Sequence, residues 1–103
     1  MNGVAFHPEA RDDLDEIWEF TRAYRFDAAD KIIAEILSAI RALVPFPERG
    51  HKRPDLTSRP LRFIVIRNYL VAYAPDEIPL WVVAVLHGKR NPRVLAAILR
   101  GRE

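Results

Sequence analysis

The run Leu80-Trp81-Val82-Val83-Ala84-Val85-Leu86 has no polar position. A strand with one wet face alternates apolar and polar residues, whereas a strand covered on both faces reads as a continuous apolar run. This run therefore calls for a central strand with material packed on each side. A chain of 103 residues has to supply that cover, and this length closes one hydrophobic core and not two. A single domain over residues 1–103 is the expectation. Half of the residues are hydrophobic and 29% are charged, the balance of a folded chain and not of a disordered one.

Two further strand candidates, Leu61 to Arg67 and Tyr69 to Ala74, are rich in β-branched and aromatic residues. They join tightly through Asn68, and Pro75-Asp76-Glu77-Ile78-Pro79 turns the chain into the apolar run, so the three form an antiparallel meander. Val4-Ala5-Phe6, closed by His7-Pro8, is at most a brief strand because proline cannot donate to a ladder.

Cover for the sheet comes from helical periodicity. Pro8 suits a first helical turn, and Ala10, Leu14, Ile17, Trp18, Thr21 and Tyr24 then follow one helix face, with Asp12, Asp13, Asp15, Glu16 and Glu19 assigned to the wet side. Asp27 is positioned to cap a second helix with the stripe Ala29, Ile32, Ile33, Ile36, Leu37, Ile40, Leu43 and Val44, stopped by Pro45-Phe46-Pro47. The short link through Arg25-Phe26 folds the two back as an antiparallel hairpin. Glu48 to Pro60 is rich in breakers and basic residues and reads as a surface loop. Asn91-Pro92 starts a final helix carrying Val94, Leu95, Ile98 and Leu99 and ending near Gly101. The expected class is α+β, in the order β-αα-βββ-α, with a helical hairpin packed on a small, mostly antiparallel sheet.

Charge is unevenly divided. Residues 1–48 hold 5 Lys/Arg against 10 Asp/Glu, and residues 49–103 hold 11 against 4, so an acidic half precedes a basic one although the net charge is only +2. Such a division directs an anionic partner to one face. The plainer reading of the acidic helices is a solvated surface.

Without cysteine, disulfides, thiolate metal sites and cysteine nucleophiles are excluded. The three histidines, His7, His51 and His87, are scattered, and no phosphate loop, dinucleotide fingerprint or serine elbow is present, so neither metal nor cofactor is expected. The start Met1-Asn2-Gly3-Val4 lacks the basic and apolar regions of a signal peptide, and no apolar stretch nears the roughly 20 residues of a membrane span, so a cytoplasmic protein with no membrane contact is expected.

What chemistry remains is basic. Arg49, Lys52, Arg53, Arg59, Arg62 and Arg67 form one group and Lys89, Arg90 and Arg93 another, all on the loop or at strand ends. Clustered guanidinium groups bind phosphates and stabilise the charge of a phosphoryl-transfer transition state, which would allow a metal-free ribonuclease. The alternative is a basic surface that keeps the domain soluble or receives an acidic partner. Tyr69 and Tyr73 fall on one strand face, and His87 follows the apolar run; each suits a structural role as well as a chemical one.

Several patterns taken in order resemble the RelE/ParE toxin superfamily. They are Phe6-His7-Pro8-Glu9-Ala10 with Asp13-Leu14-Asp15-Glu16-Ile17-Trp18, then Ala28-Ala29, Phe46-Pro47-Glu48-Arg49-Gly50, Leu61-Arg62, Tyr69-Leu70-Val71-Ala72-Tyr73, and Val85-Leu86-His87-Gly88-Lys89-Arg90-Asn91. The last segment is more similar to the ParE branch than to the RelE branch.

The resemblance implies the toxin of a type II toxin–antitoxin pair. In the ParE branch it implies a non-enzymatic inhibitor of DNA gyrase, with a target surface at His87, Lys89, Arg90, Arg93, Arg100 and Arg102. In the RelE branch it implies a ribosome-dependent messenger RNA endoribonuclease, for which Lys52, Arg67 and Arg90 are the candidate catalytic residues. The tyrosine of that branch would fall near Leu95-Ala96, where no proton-transfer group stands. The implied partner is a ParD-like antitoxin with an acidic tail, in a hetero-oligomer. Helix-in-groove docking and strand addition are the two routine ways to hold such a tail. Ile17, Trp18, Phe20 and Tyr24 are the groove candidates and Arg62, Arg67 and Arg90 the charge contacts; Phe20, off the main stripe, is expected to be exposed.

Overall fold

The computed structural model describes residues 3–102. Met1, Asn2 and Glu103, which enter the reading of the N-terminus and of the charge balance, lie outside them. The elements are β1 (Val4–Phe6), α1 (Pro8–Tyr24), α2 (Ala29–Arg41), β2 (Arg62–Ile66), β3 (Tyr69–Ala74), β4 (Leu80–His87) and α3 (Pro92–Arg100), with a 3₁₀ turn at Pro47–Arg49. This is the α+β order read from the sequence.

The sheet order is β1-β4-β3-β2, with β1 parallel to β4 and the other pairs antiparallel. β4 is thus interior, and only Trp81 and His87 along it escape full burial. One face packs against Ala10, Ile17, Ile36, Ile40 and Leu43 through Val71, Tyr73, Val82 and Val85. The other packs Leu70, Ala72, Val83, Ala84 and Leu86 against Leu95 and Leu99 of α3 and against Leu56 and Leu61. Burying a leucine contributes about 1.5–3 kcal/mol, so Leu95 and Leu99 hold α3 in place. A bulge makes both faces fit: Tyr73 pairs with Val82 and Ala72 with Ala84, so Val83 is an extra residue and shares a face with Ala84.

Both predicted helix starts with proline are present. His7 caps α1, its Nδ1 accepting from the Glu9 N–H at 3.0 Å, and Asn91 caps α3, its Oδ1 accepting from the Arg93 N–H at 2.8 Å. Asp27 does not cap α2. The turn closes by the Ala28 N–H donating to the Arg25 carbonyl, which puts Ala28 at the cap with no side-chain bond. α2 also stops at Arg41, short of Val44, because Leu43 and Val44 donate three residues back in tight turns before Pro45.

Three further expectations are corrected. Tyr24, at the end of α1, is 75% exposed and outside the core stripe. Asp13, assigned to the wet side, is buried between Ala10 and Ile17. The loop after α2 is not wholly a surface loop, since Leu56 is core and His51 forms a two-bond bridge with Phe63.

That loop is fastened at one end of the sheet. The buried Tyr73 hydroxyl donates to the Pro47 carbonyl at 2.7 Å and accepts from the Gly50 N–H at 2.8 Å. Burial pushes its pKa above the usual phenol value, against the opposing effect of the Gly50 N–H, so it stays a neutral donor. Arg62 donates to the Gly50 carbonyl at 2.8 Å and pairs with Glu48 at 2.9 Å. A Cβ at Gly50 would stand 2.5 Å from the Tyr73 hydroxyl and 2.9 Å from the Phe63 carbonyl oxygen, so only glycine fits. No helix among the described residues is long and apolar enough to cross a membrane.

Candidate binding groove and basic end

At the opposite end of the sheet, the β2–β3 turn meets the loop between β4 and α3. Arg67 opens the turn at φ 55°, a left-handed conformation that favours glycine. The Gly88 N–H donates to the Asn68 carbonyl at 2.8 Å and stitches turn to loop. His87 and Tyr69 face each other across β3 and β4, ring edge to ring face at 5.8 Å. His87, Lys89, Arg90 and Arg93 are all exposed.

Between α1, the end of β4 and α3 lies a groove of about 530 Å³, lined among others by Glu16, Ile17, Phe20, His87, Arg90 and Ile98. Phe20 is 64% exposed, as its place off the stripe suggests, and packs against Tyr24 with the rings tilted at 49° and their centroids 4.9 Å apart. Ile17 is buried beneath them. Trp18 does not join this set. It faces α2, where its Nε1 donates to Asp30 at 2.7 Å and Arg22 lies over its ring at 5.2 Å.

The predicted cations separate into different environments. Arg67 gives two hydrogen bonds to Glu35 of α2, which hold the Glu35 carboxyl below the usual carboxylate range and raise Arg67. Arg90 shares that end of the sheet. Lys52 does not: it follows the His51–Phe63 bridge, and Phe63 to Arg67 is ~13 Å along a strand. Arg62 is committed to the fastened end.

Arg102 is a structural residue and not an open surface group. Its guanidinium is buried and grips both oxygens of Asp13, with the Nη2–Oδ1 bond at 2.8 Å. It also donates to the Val83 carbonyl at 3.3 Å, and its Nε lies 3.1 Å from Glu9 in an ion pair without a hydrogen bond. The hydrogen bonds from Arg102 to Asp13 are the main reason its pKa rises. Asp13 accepts in addition from the Val85 N–H at 2.9 Å. The bonds from the two Nη atoms satisfy the pair at its Asp13 side, and the Glu9 charge faces the remaining Nε. Sequence reasoning missed it, although Asp13 stands three residues after Ala10 and four before Ile17, in register with the core face. Arg93 and Arg100 differ from Arg102 in standing exposed on α3.

Among the described residues no group of three His, Asp or Glu side chains is arranged to hold a metal ion. The element order agrees with the resemblance to the RelE/ParE toxins, and a basic loop and helix stand beside an aromatic-walled groove. The model of the family described as ParE toxin of type II toxin–antitoxin system, parDE, matches residues 4–92, and the chain belongs to that family. It is therefore the toxin of a type II pair, with an antitoxin as its partner. No curated protein matches the chain.

Proposed function

We propose that this toxin inhibits DNA gyrase by binding, without catalysis, and is neutralised in the cytoplasm by a ParD-like antitoxin with an acidic tail. The observation that carries this reading is the condition of the residues a RelE-like ribonuclease would use. Lys52 is remote, Arg67 is neutralised by Glu35, and Leu95, near the position of the missing tyrosine, is 1% exposed in the core. A general acid or base contributes roughly 10²–10⁴-fold to such chemistry. Leu95 contributes packing instead.

What is left on display is a surface suited to contact. His87, Lys89 and Arg90 on the loop, with Arg93 and Arg100 on α3, make the target face, and Arg102 supports it from beneath by clamping β4 to α1. The antitoxin docks at the groove, on Ile17, Phe20 and Tyr24, with Arg90 as its charge contact. Trp18, Arg62 and Arg67 leave that set, since each is held by a partner within the chain.

Purified toxin added to gyrase, ATP and relaxed plasmid should block supercoiling, while message ends mapped after induction stay unchanged. Uninhibited gyrase together with newly cut messages would overturn this reading in favour of the ribonuclease.

A further inference from the structure

β4 is longer than the strand that flanks it. β1 ends at Phe6, opposite Val82, whereas β4 continues to His87, so its outer edge from Val83 onward has no strand beside it. Most of that edge is satisfied by other means. The Val83 carbonyl accepts from Arg102, the Val85 N–H donates to Asp13, and the His87 carbonyl accepts from the Arg90 N–H at 3.1 Å. Two outward groups remain without a partner among the described residues: the Val85 carbonyl and the His87 N–H.

The identity of this leftover pair sets the direction of anything added. In antiparallel addition one incoming residue exchanges both bonds with a single residue of the edge, and neither Val85 nor His87 has both groups free. In parallel addition an incoming residue donates to one carbonyl and accepts from the N–H two residues further on. Val85 and His87 offer that combination. β1 already lies parallel to β4, so the vacant place continues its line.

The groove walls supply the rest. Ile17 and Phe20 on α1 and Ile98 on α3 stand on either side, and Glu16 lines the α1 wall. Beyond His87 the strand leads into Lys89, Arg90 and Arg93, which are exposed and join no ion pair among the described residues. We infer that this edge of β4 takes an extended peptide segment as a parallel strand in line with β1, with an apolar side chain over Ile17, Phe20 and Ile98 and an acidic residue at its C-terminal end beside Lys89, Arg90 and Arg93. The inference rests on the reading of the partner as an antitoxin with an acidic tail, and names the backbone edge that receives it. The edge of β2 is the rival: His51 closes both Phe63 groups there and leaves Val65, 69% exposed, as the open residue.

The test is amide hydrogen exchange on the toxin, free and co-purified with its antitoxin. The His87 amide, which has no partner among the described residues of the free chain, should slow by at least about tenfold in the complex while Val65 is unchanged. A complex in which His87 exchanges as before, or in which Val65 slows instead, overturns the inference and leaves the toxin–antitoxin reading intact. Failure to form any complex overturns both. His87→Pro, which removes that donor together with the imidazole, should bind about tenfold or more weaker than His87→Ala, which removes the imidazole and keeps the donor. Equal binding by the proline and alanine variants would also overturn the inference.

Discussion

The two ends of the sheet use similar residues for opposite purposes. At one end Tyr73, Arg62 and Glu48 close on the Pro47–Gly50 turn, and each polar group has a protein partner. At the other, His87, Lys89 and Arg90 stand open beside a groove, and the backbone of β4 keeps two groups without a partner among the described residues. An arginine or tyrosine near a strand end is therefore no guide to function until its partners are known. Between the two ends, the Asp13–Arg102 pair is the joint that keeps β4, α1 and the end of α3 together.

The largest effect should come from breaking that joint. Asp13→Ala takes from a buried guanidinium the carboxylate that grips both its Nη atoms and should cost about 3–5 kcal/mol in urea unfolding, whereas Asp13→Leu combined with Arg102→Met should recover most of the loss. Additive losses in the double variant would show that the two residues do not act as a pair. At the fastened end, Gly50→Ala should cost about 1–3 kcal/mol, because the new methyl meets both Tyr73 and the Phe63 backbone. Tyr73→Phe, which orphans the Gly50 N–H and the Pro47 carbonyl, should cost about 1–2 kcal/mol by the same measurement.

The smallest effect is one of pH. Glu35 has a lowered pKa in the folded chain, so its pairing with Arg67 stabilises at neutral pH and is lost as the pH falls through that folded value. The stability difference between the wild type and Glu35→Gln should therefore shrink between about pH 6 and about pH 3. A difference that grows on acidification would contradict the direction of the shift.

Much of the fold was legible because the signals were periodic or sterically forced. The unbroken Leu80–Leu86 run gave the interior strand, and Asn91-Pro92 gave the start of α3. What escaped depended on contacts distant in sequence. Asp13 and Arg102 are separated by 89 positions, and nothing near either announces the other. The α2 start was missed because the turn from Arg25 to Ala28 satisfies the backbone before Asp27 can. In the site, exposure of Phe20 followed from its angular place on α1, but the separation of Trp18 from it, and of Lys52 from Arg67, followed from packing alone.

On the proposed function, the open end carries the toxin's activity and the fastened end only its fold. The direct measurement is gyrase inhibition and unfolding free energy on the same preparations of Lys89→Ala/Arg90→Ala and Tyr73→Phe. The loop variant should lose inhibition by about tenfold or more with stability changed by no more than about 0.5 kcal/mol per substitution, and Tyr73→Phe should lose stability yet inhibit as wild type at temperatures where it stays folded. A fully inhibitory loop variant, or a folded Tyr73→Phe that no longer inhibits, would contradict the account.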